Sequence, residues 1–344
     1  QGSGSYVTTN TGAKLLDMTR GVPLCRPDAS GIGVVNLGHC HPTVTRAAQE
    51  QCGRITHTQV NIGFSEPQLR LIRELLTIMP HESLNTFFLW NSGSEAIEAA
   101  VKVARMATGR PNIVVAKGAL PQQFFAHTGS YHGRTAATAA MTRSKTVYGE
   151  GVGPLMPGVF STSFPYYSQM CRPVGTPTDQ LVAEALERLE LLLLQETAPR
   201  DTAAIVLETV LGEGGYVSAP PAFLAGVREI CDKHGILYIA DEVQAGFGRT
   251  GKMFAVEHAG VRPDIMVMAK GLANGFPLSA VVGSAEVMNS MPPGSMVRTR
   301  IHCTNLFRVA RTRATPWRAR QPRQSSAYSA KSACSTTSRT GTCQ

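Results

Sequence analysis

The sequence has 344 residues, which is long enough for a large α/β domain and a smaller appendage, and 43% of them are hydrophobic, which suits a substantial core. The formal net charge is +9 at pH 7. No run of about eighteen uninterrupted apolar residues occurs, and the first residues lack a basic stretch followed by an apolar one, so neither a membrane span nor a secretory signal is expected. The eight cysteines are scattered without metal-ligand spacing, which indicates reduced thiols, no metal site and a cytoplasmic protein, with a mitochondrial location left open.

Residues 1–55 are expected to form an N-terminal segment and residues 56–296 a large domain. In the large domain, apolar strand-like runs alternate with helical periodicity, which predicts a largely parallel sheet covered by helices on both faces. The first predicted helix opens at Ser65 and is stopped by Pro80. Its apolar residues share one face: Leu69, Ile72, Leu75, Leu76 and Met79.

Further strands and helices are predicted along the same domain. Ser92 to Glu95 is an S-x-x-E capping box that opens a helix through Arg105. The predicted strands are Asn85–Trp90, Asn112–Val115, Ala203–Leu207, Ile236–Ala240 and Ile265–Met268. Two more helices, near Asp179–Gln195 and Pro221–His234, lie between these strands.

A candidate anion site lies where the first of these strands turns into a helix. The backbone N–H groups of Gly93 and Ser94 and the positive end of the helix dipole would attract a phosphate monoester. Taken alone, the pattern favours an ordinary capped helix start, because such caps are common.

The motif GSYHGRT, Gly129–Thr135, places an aromatic ring and a histidine between glycines. Tyr131 could lie flat against a planar cofactor. Two alternatives of equal weight stay open for His132, a contact with that cofactor or an ordinary hydrogen-bonded loop histidine.

The segment ADEVQAGFGRTG follows the apolar run ILYIA, so Asp241 comes at the carboxyl end of a strand, where open α/β sheets bind their ligands. A buried carboxylate there needs a cationic partner, and a protonated pyridine nitrogen is such a partner. Val243 would face the ring, and Gln244 could hydrogen-bond its phenolic oxygen. The turn 246–249 is interpreted as structural.

Lys270 follows an apolar strand and precedes a glycine. A lysine at a buried strand end is rare, and desolvation would lower its pKa enough for Schiff-base chemistry. Considered alone, Lys270 fits a surface lysine at a turn better than a Schiff-base lysine. In order with the three preceding patterns, it indicates a site for pyridoxal 5′-phosphate (PLP).

As a set, these motifs resemble those of the class III (ω-amino acid) aminotransferases of PLP fold type I, particularly 4-aminobutyrate aminotransferases. The resemblance covers roughly residues 6–296 and includes NLGHCHP, NSGSEAIEAAVKVAR, GSYHGRT, ETVLGEGG, DEVQAGFGRTG and AKGLANGFPLSA. It implies an α/β fold with a mostly parallel seven-stranded sheet flanked by helices, and a homodimer when the protein is intact.

The resemblance also implies a role for each site residue. Lys270 would be the catalytic Schiff-base lysine, and Asp241 would hold the pyridine nitrogen. The other cofactor contacts would surround the phosphate, the ring faces and the 3′-oxygen: Gly93, Ser94, Tyr131, His132, Val243 and Gln244. Glu208 and Glu213 would form a substrate gate, in which Glu213 acts on a substrate-binding arginine.

The implied reaction is a ping-pong transfer of an amino group from an ω-amino acid, such as 4-aminobutyrate, to a 2-oxo acid, with Lys270 as general base and acid. Two alternatives stay open: an acetylornithine or ornithine-type transaminase, and a non-catalytic PLP-binding product of mis-splicing. Thr209 and Leu211 replace the Pro and Gln of the commoner motif EPVQGEGG, which bears on substrate choice. TRGVPLCRPDASGIG and AKGALPQQFFAHT look inserted.

The resemblance ends after Met296, and residues 297–344 are predicted to be a basic, disordered tail. The tail has nine Arg, one Lys and no acidic residue, so the rest of the chain is nearly neutral and no nucleic-acid partner is expected. The family's GGTYxGNPxACAAA segment and C-terminal small domain are not recognisable in it. Because the codons of Arg308–Ala327 can encode Gly-Gly-Thr-Tyr-Ala-Gly-Asn-Pro in a shifted frame, we hypothesise intron retention with a frameshift and impaired activity.

Overall fold

The computed structural model describes residues 1–17, 32–57, 65–117 and 129–291, and the backbone of Ile301–His302. All of them belong to one compact unit, Gln1–Cys303. Most of the two segments that look inserted, and all but two residues of the predicted tail, lie outside the described residues.

The strands are numbered in chain order: β1 (Gly2–Ser3), β2 (Tyr6–Thr8), β3 (Lys14–Leu16), β4 (Thr86–Trp90), β5 (Asn112–Lys117), β6 (Val159–Ser163), β7 (Thr202–Glu208), β8 (Val210–Leu211), β9 (Val217–Ser218), β10 (Leu237–Asp241), β11 (Ile265–Met268), β12 (Ser279–Gly283) and β13 (Ile301–His302). The helices are α1 (Pro42–Arg54), α2 (Glu66–Ile78), α3 (Gly93–Thr108), α4 (Ala136–Met141), α5 (Thr178–Gln195), α6 (Pro221–His234) and α7 (Ala285–Met288).

One large sheet dominates the unit, with the strand order β13-β4-β12-β11-β10-β7-β5-β6. From β11 to β6 the neighbours are parallel, whereas β12 runs antiparallel to both β11 and β4. The seven strands from β4 to β6 in this order match the mostly parallel seven-stranded sheet that the resemblance implies. Strand β13, inside the predicted tail, adds a two-residue edge strand.

Helices cover the large sheet because its central strands are apolar on both faces. Every residue of β7 is buried, and β10 is buried from Tyr238 onwards. Helix α3 packs on one face with small buried side chains, including Ala96, Ala100 and Ala104, which let its backbone lie close to the strands. Helices α5 and α6 pack against each other and against β6 and β10.

The sequence did not predict α1, α4, α7 or the strands of the two small sheets, and in the large sheet it missed β6, β12 and β13. Strand β6 reads VFSTS, which is half polar and gives a weak apolar signal. Strand β12 is joined to β11 by the segment 269–278, which is too short for the crossover that a parallel partner needs, so β12 pairs antiparallel. All the strands and helices that the sequence did predict are present, with ends shifted by one to three residues in most of them.

Candidate functional site

The carboxyl ends of β7, β10 and β11 and the start of α3 surround a cavity of about 290 Å³. This edge is where open α/β sheets bind ligands. Nine of the ten residues singled out in the sequence line it: Gly93, Ser94, Tyr131, His132, Glu208, Asp241, Val243, Gln244 and Lys270. The tenth, Glu213, is not among its lining residues.

Lys270 lies two residues after the end of β11 and begins a short 3-10 helix. Its φ of +43° is a left-handed conformation that costs free energy for a residue with a side chain, and it brings the chain out of the strand at the cavity. The Nζ atom donates to Gln244 Oε1 at 3.2 Å. Burial lowers the pKa of the Lys270 amine, although the charges of Asp241 and Glu208 oppose this.

Asp241 ends β10 and is almost completely buried. Its Oδ2 accepts a hydrogen bond from His132 Nδ1 at 2.7 Å, and its Oδ1 accepts one from the Val243 N–H at 3.1 Å. Burial lowers the pKa of His132, but the hydrogen bond and charge of Asp241 outweigh it, so the pKa is raised. His132 is therefore both a hydrogen-bonded histidine and a cavity residue, and its buried Nε2 has no partner in the described parts of the chain.

Glu208 ends β7 beside Asp241, its Cα partner in the sheet. Its two carboxylate oxygens accept hydrogen bonds from the Tyr131 N–H at 2.8 Å and the Gly212 N–H at 2.9 Å. Burial raises the pKa of Glu208 to about 7, against the opposing charge of His132. Glu208 thus holds the backbone of Tyr131 and of the turn after β8.

The start of α3 is capped by Ser92, the residue that the S-x-x-E pattern predicts. Ser92 Oγ accepts from the Glu95 N–H at 3.3 Å and donates to the Glu95 carboxylate at 2.8 Å. Close packing around this helix start depends on glycine: a Cβ on Gly93 would lie 3.0 Å from Val243 Cγ1, and a Cβ on Gly133 would lie 2.2 Å from Ser94 Oγ. The first turn of α3 reaches the cavity through Gly93 and Ser94, whose N–H groups have no partner within the helix because they lie at its start.

Glu213 lies beside the site in a cluster of charged and aromatic side chains. Its Oε2 accepts from Lys145 Nζ at 3.0 Å and from Tyr148 Oη at 3.2 Å. Arg134 lies over the ring of Tyr148, 4.5 Å from the centroid. The resemblance implies an arginine as the partner of Glu213, whereas in the described residues its cationic partner is a lysine.

The sequence reasoning missed several residues that line the cavity: Val34, Asn91, Ser92, Ala269, Phe276 and Leu278. It also left the turn 246–249 without a role. In the structure, Arg249 donates to Asn36 Oδ1, and Asn36 Nδ2 donates to the carbonyl of Phe247 at 3.0 Å. The turn therefore joins the NLGHCHP segment to the strand ends of the site, a long-range contact that no local pattern reveals.

In the part of the chain that the structure describes, no helix has the length and apolar character needed to cross a membrane. The same residues contain no group of three or more His, Cys, Asp or Glu side chains placed to hold a metal ion.

A family model described as aminotransferase class-III matches residues 1–312. The 5-aminovalerate aminotransferase of Pseudomonas putida is 41% identical over 268 residues, which are 78% of this chain and 58% of that protein. The 4-aminobutyrate aminotransferase of Escherichia coli is 41% identical over 269 residues, again 78% of this chain and 58% of that protein. The chain thus spans less than three-fifths of the length of these relatives.

A solved structure gives the same result at the level of the fold. The taurine:2-oxoglutarate aminotransferase of Bifidobacterium kashiwanohense, in complex with PLP and glutamate, superposes with a TM-score of 0.72 at 32% identity. The match covers 84% of this chain and 60% of that one.

Proposed function

The chain belongs to the class-III aminotransferases, and from this we propose that it binds PLP at Lys270 and moves an amino group from an ω-amino acid to a 2-oxo acid. The observation that carries the proposal is the convergence of Lys270, the Asp241–His132 pair and the start of α3 on one cavity. Two relatives that are each 41% identical to this chain are named for 5-aminovalerate and 4-aminobutyrate, both ω-amino acids, which supports this class of donor.

The residues present fit PLP. A phosphate suits the first turn of α3, because Gly93 and Ser94 line the cavity and their N–H groups have no partner within the helix. The buried carboxylate of Asp241 suits a protonated ring nitrogen, since one of its oxygens is already oriented by a backbone N–H and the other by His132. Tyr131 and Val243 line the same cavity as apolar surfaces for a flat ring.

Each of these residues has a task that follows from its surroundings. PLP, when bound, supplies an electron sink for negative charge at the carbon that carries the amino group. Burial lowers the pKa of Lys270, which favours a neutral amine that can accept a proton at Nζ and return it, so Lys270 would act as general base and acid. Asp241 would keep the ring nitrogen of bound PLP protonated, and Glu208 holds Tyr131 in place through its backbone N–H.

Positive charge near Glu213 suits the carboxylate of the donor. Lys145 and Arg134 both lie against Tyr148, and Glu213 partly neutralises Lys145. An ω-amino acid carries its carboxylate several bonds away from the amino group, so a cation at a distance from Lys270 would favour it over a simple amine. We propose ping-pong order, in which the product of the donor leaves before the 2-oxo acid binds.

The test begins with binding. PLP is added to the 344-residue chain and to Lys270→Ala and Lys252→Ala variants, followed by visible absorbance, borohydride reduction and peptide mass spectrometry. Lys252 is the matched control because it is a lysine outside the cavity that donates to a backbone carbonyl. We expect PLP on Lys270 in the wild type and the Lys252 variant, whereas labelling that survives Lys270→Ala would contradict the proposal.

Donor choice is tested separately with 2-oxoglutarate as acceptor. We expect 4-aminobutyrate and 5-aminovalerate to be consumed in preference to acetylornithine, with parallel double-reciprocal plots as the sign of ping-pong order. Preference for acetylornithine would replace the ω-amino acid assignment with the acetylornithine-type alternative. PLP binding without consumption of any donor would favour the non-catalytic alternative.

A further inference from the structure

A second pair of buried polar side chains lies directly behind the two carboxylates of the cavity. Glu208 and Asp241 are partners in register at the ends of β7 and β10, and each is followed at once by another polar residue, Thr209 and Glu242. Because side chains alternate along extended chain, Thr209 and Glu242 leave the strands on the side opposite to the cavity. Neither lines the cavity, and both are almost completely buried.

Glu242 is the centre of a small network. Its Oε1 accepts from Thr209 Oγ1 at 2.6 Å and from the Val256 N–H at 2.7 Å, and its Oε2 accepts from the Ala255 N–H at 3.0 Å. Three donors point at one carboxylate, which satisfies an ionised form inside the protein. Burial raises the pKa of Glu242 to about 7, and the bond from Thr209 counteracts this by favouring the charged form.

The network fixes the backbone that carries Asp241. The side chain of Glu242 joins its own strand end to β7 through Thr209 and to the turn at Ala255 and Val256. The peptide that Glu242 shares with Asp241 is held further by the bond from the Glu242 N–H to the Val267 carbonyl at 3.0 Å. Movement of Glu242 would therefore shift the adjacent Asp241 relative to His132.

Thr209 makes this arrangement specific to the sequence of this chain. The commoner EPVQGEGG motif has proline at this position, and proline has no hydroxyl to donate. We propose that Thr209 is a positioning residue, which through Glu242 holds Asp241 in the orientation that binds the ring nitrogen of PLP. The inference rests on the proposed function, since it concerns the same cofactor site.

The experiment compares three substitutions in the full 344-residue chain. Thr209→Val removes the hydroxyl at nearly constant volume, whereas Thr209→Ser keeps a hydroxyl at this position. Thr202→Val is the matched control: Thr202 is buried at the other end of the same strand, and its hydroxyl bonds to Thr197 and Ala198, away from the cavity. For each variant we would measure the PLP dissociation constant, the visible spectrum of bound PLP, and Tm without PLP.

We expect Thr209→Val to raise the PLP dissociation constant about two- to tenfold, the range for one lost hydrogen bond, and to shift the spectrum. Thr209→Ser should stay within about twofold of the wild type. Thr202→Val should lower Tm but leave the dissociation constant and spectrum unchanged. A Thr209→Val variant with lowered Tm and wild-type PLP binding would reduce Thr209 to a structural role and overturn the inference.

Three other outcomes separate a failure of this inference from a failure of the proposed function. If Thr209→Val does not fold, Thr209→Pro takes its place, and wild-type PLP binding in the proline variant would overturn the inference. If the wild type itself shows no PLP at Lys270, the proposed function and the inference fall together. If the wild type binds PLP at Lys270 and Thr209→Val leaves the PLP dissociation constant unchanged, the inference is wrong and the proposed function stands.

Discussion

Replacement of Gly133 by alanine tests how closely the GSYHGRT loop packs on α3. Gly133 has a φ of +127°, and a Cβ there would lie 2.2 Å from Ser94 Oγ and 2.8 Å from Thr138 Oγ1. The backbone conformation alone costs a side chain about 1–2 kcal/mol, and the contact adds the about 1–3 kcal/mol typical of overpacking. Gly133→Ala should therefore lower the free energy of unfolding by about 2–5 kcal/mol.

Gly175→Ala separates the two contributions. Gly175 has a φ of +88°, but a Cβ there would meet nothing within 4 Å. This control should lose about 1–2 kcal/mol, because it has the backbone cost without the contact. Urea unfolding of both variants without PLP gives the two free energies, and PLP titration should show weakened binding for Gly133→Ala alone, since Ser94 is displaced. Equal losses of stability in the two variants would refute the close approach of Gly133 to Ser94.

Two further predictions concern Asp241 and His132. Asp241→Asn should raise the PLP dissociation constant about 30-fold or more, because the buried positive charge on the ring nitrogen of PLP loses its partner. Absorbance titration measures this constant, and a change below threefold would show that Asp241 is not the partner of the ring nitrogen. In the chain without PLP, the raised pKa of His132 stabilises the fold fully below its unfolded pKa of about 6.5, and this contribution is lost as pH rises through the folded value. The difference in Tm between the wild type and His132→Gln should therefore narrow with rising pH, and a difference that widens would contradict the assigned shift.

The elements that sequence reasoning placed well are those with strong local signals. Ile265–Met268 and Pro221–His234 are present with the predicted ends, because a wholly apolar run and a proline-started periodic segment are unambiguous. Strand β12 could not be placed in the same way, since its sequence SAVVG is short and its direction depends on the length of the connection before it.

The candidate site shows the same division. Asp241 and Lys270 were found because each is a polar residue at the end of an apolar strand, which is a local pattern. The partners of these residues could not be found, because contacts such as His132 with Asp241, or Lys145 with Glu213, join residues far apart in the chain. Thr209 was noticed as a departure from a motif, but its bond to Glu242 depends on the register of β7 and β10.

The position of β4 in the sheet has a consequence during synthesis on the ribosome. Its two partners in the described residues, β12 and β13, follow it by most of the length of the chain. At about 5–20 residues per second, the strand waits about 10–40 s before β12 is made. During that time both edges of the apolar sequence TFFLW are unpaired, which is the state most prone to aggregation between nascent chains. The yield of folded protein should therefore depend strongly on chaperones that bind extended apolar segments.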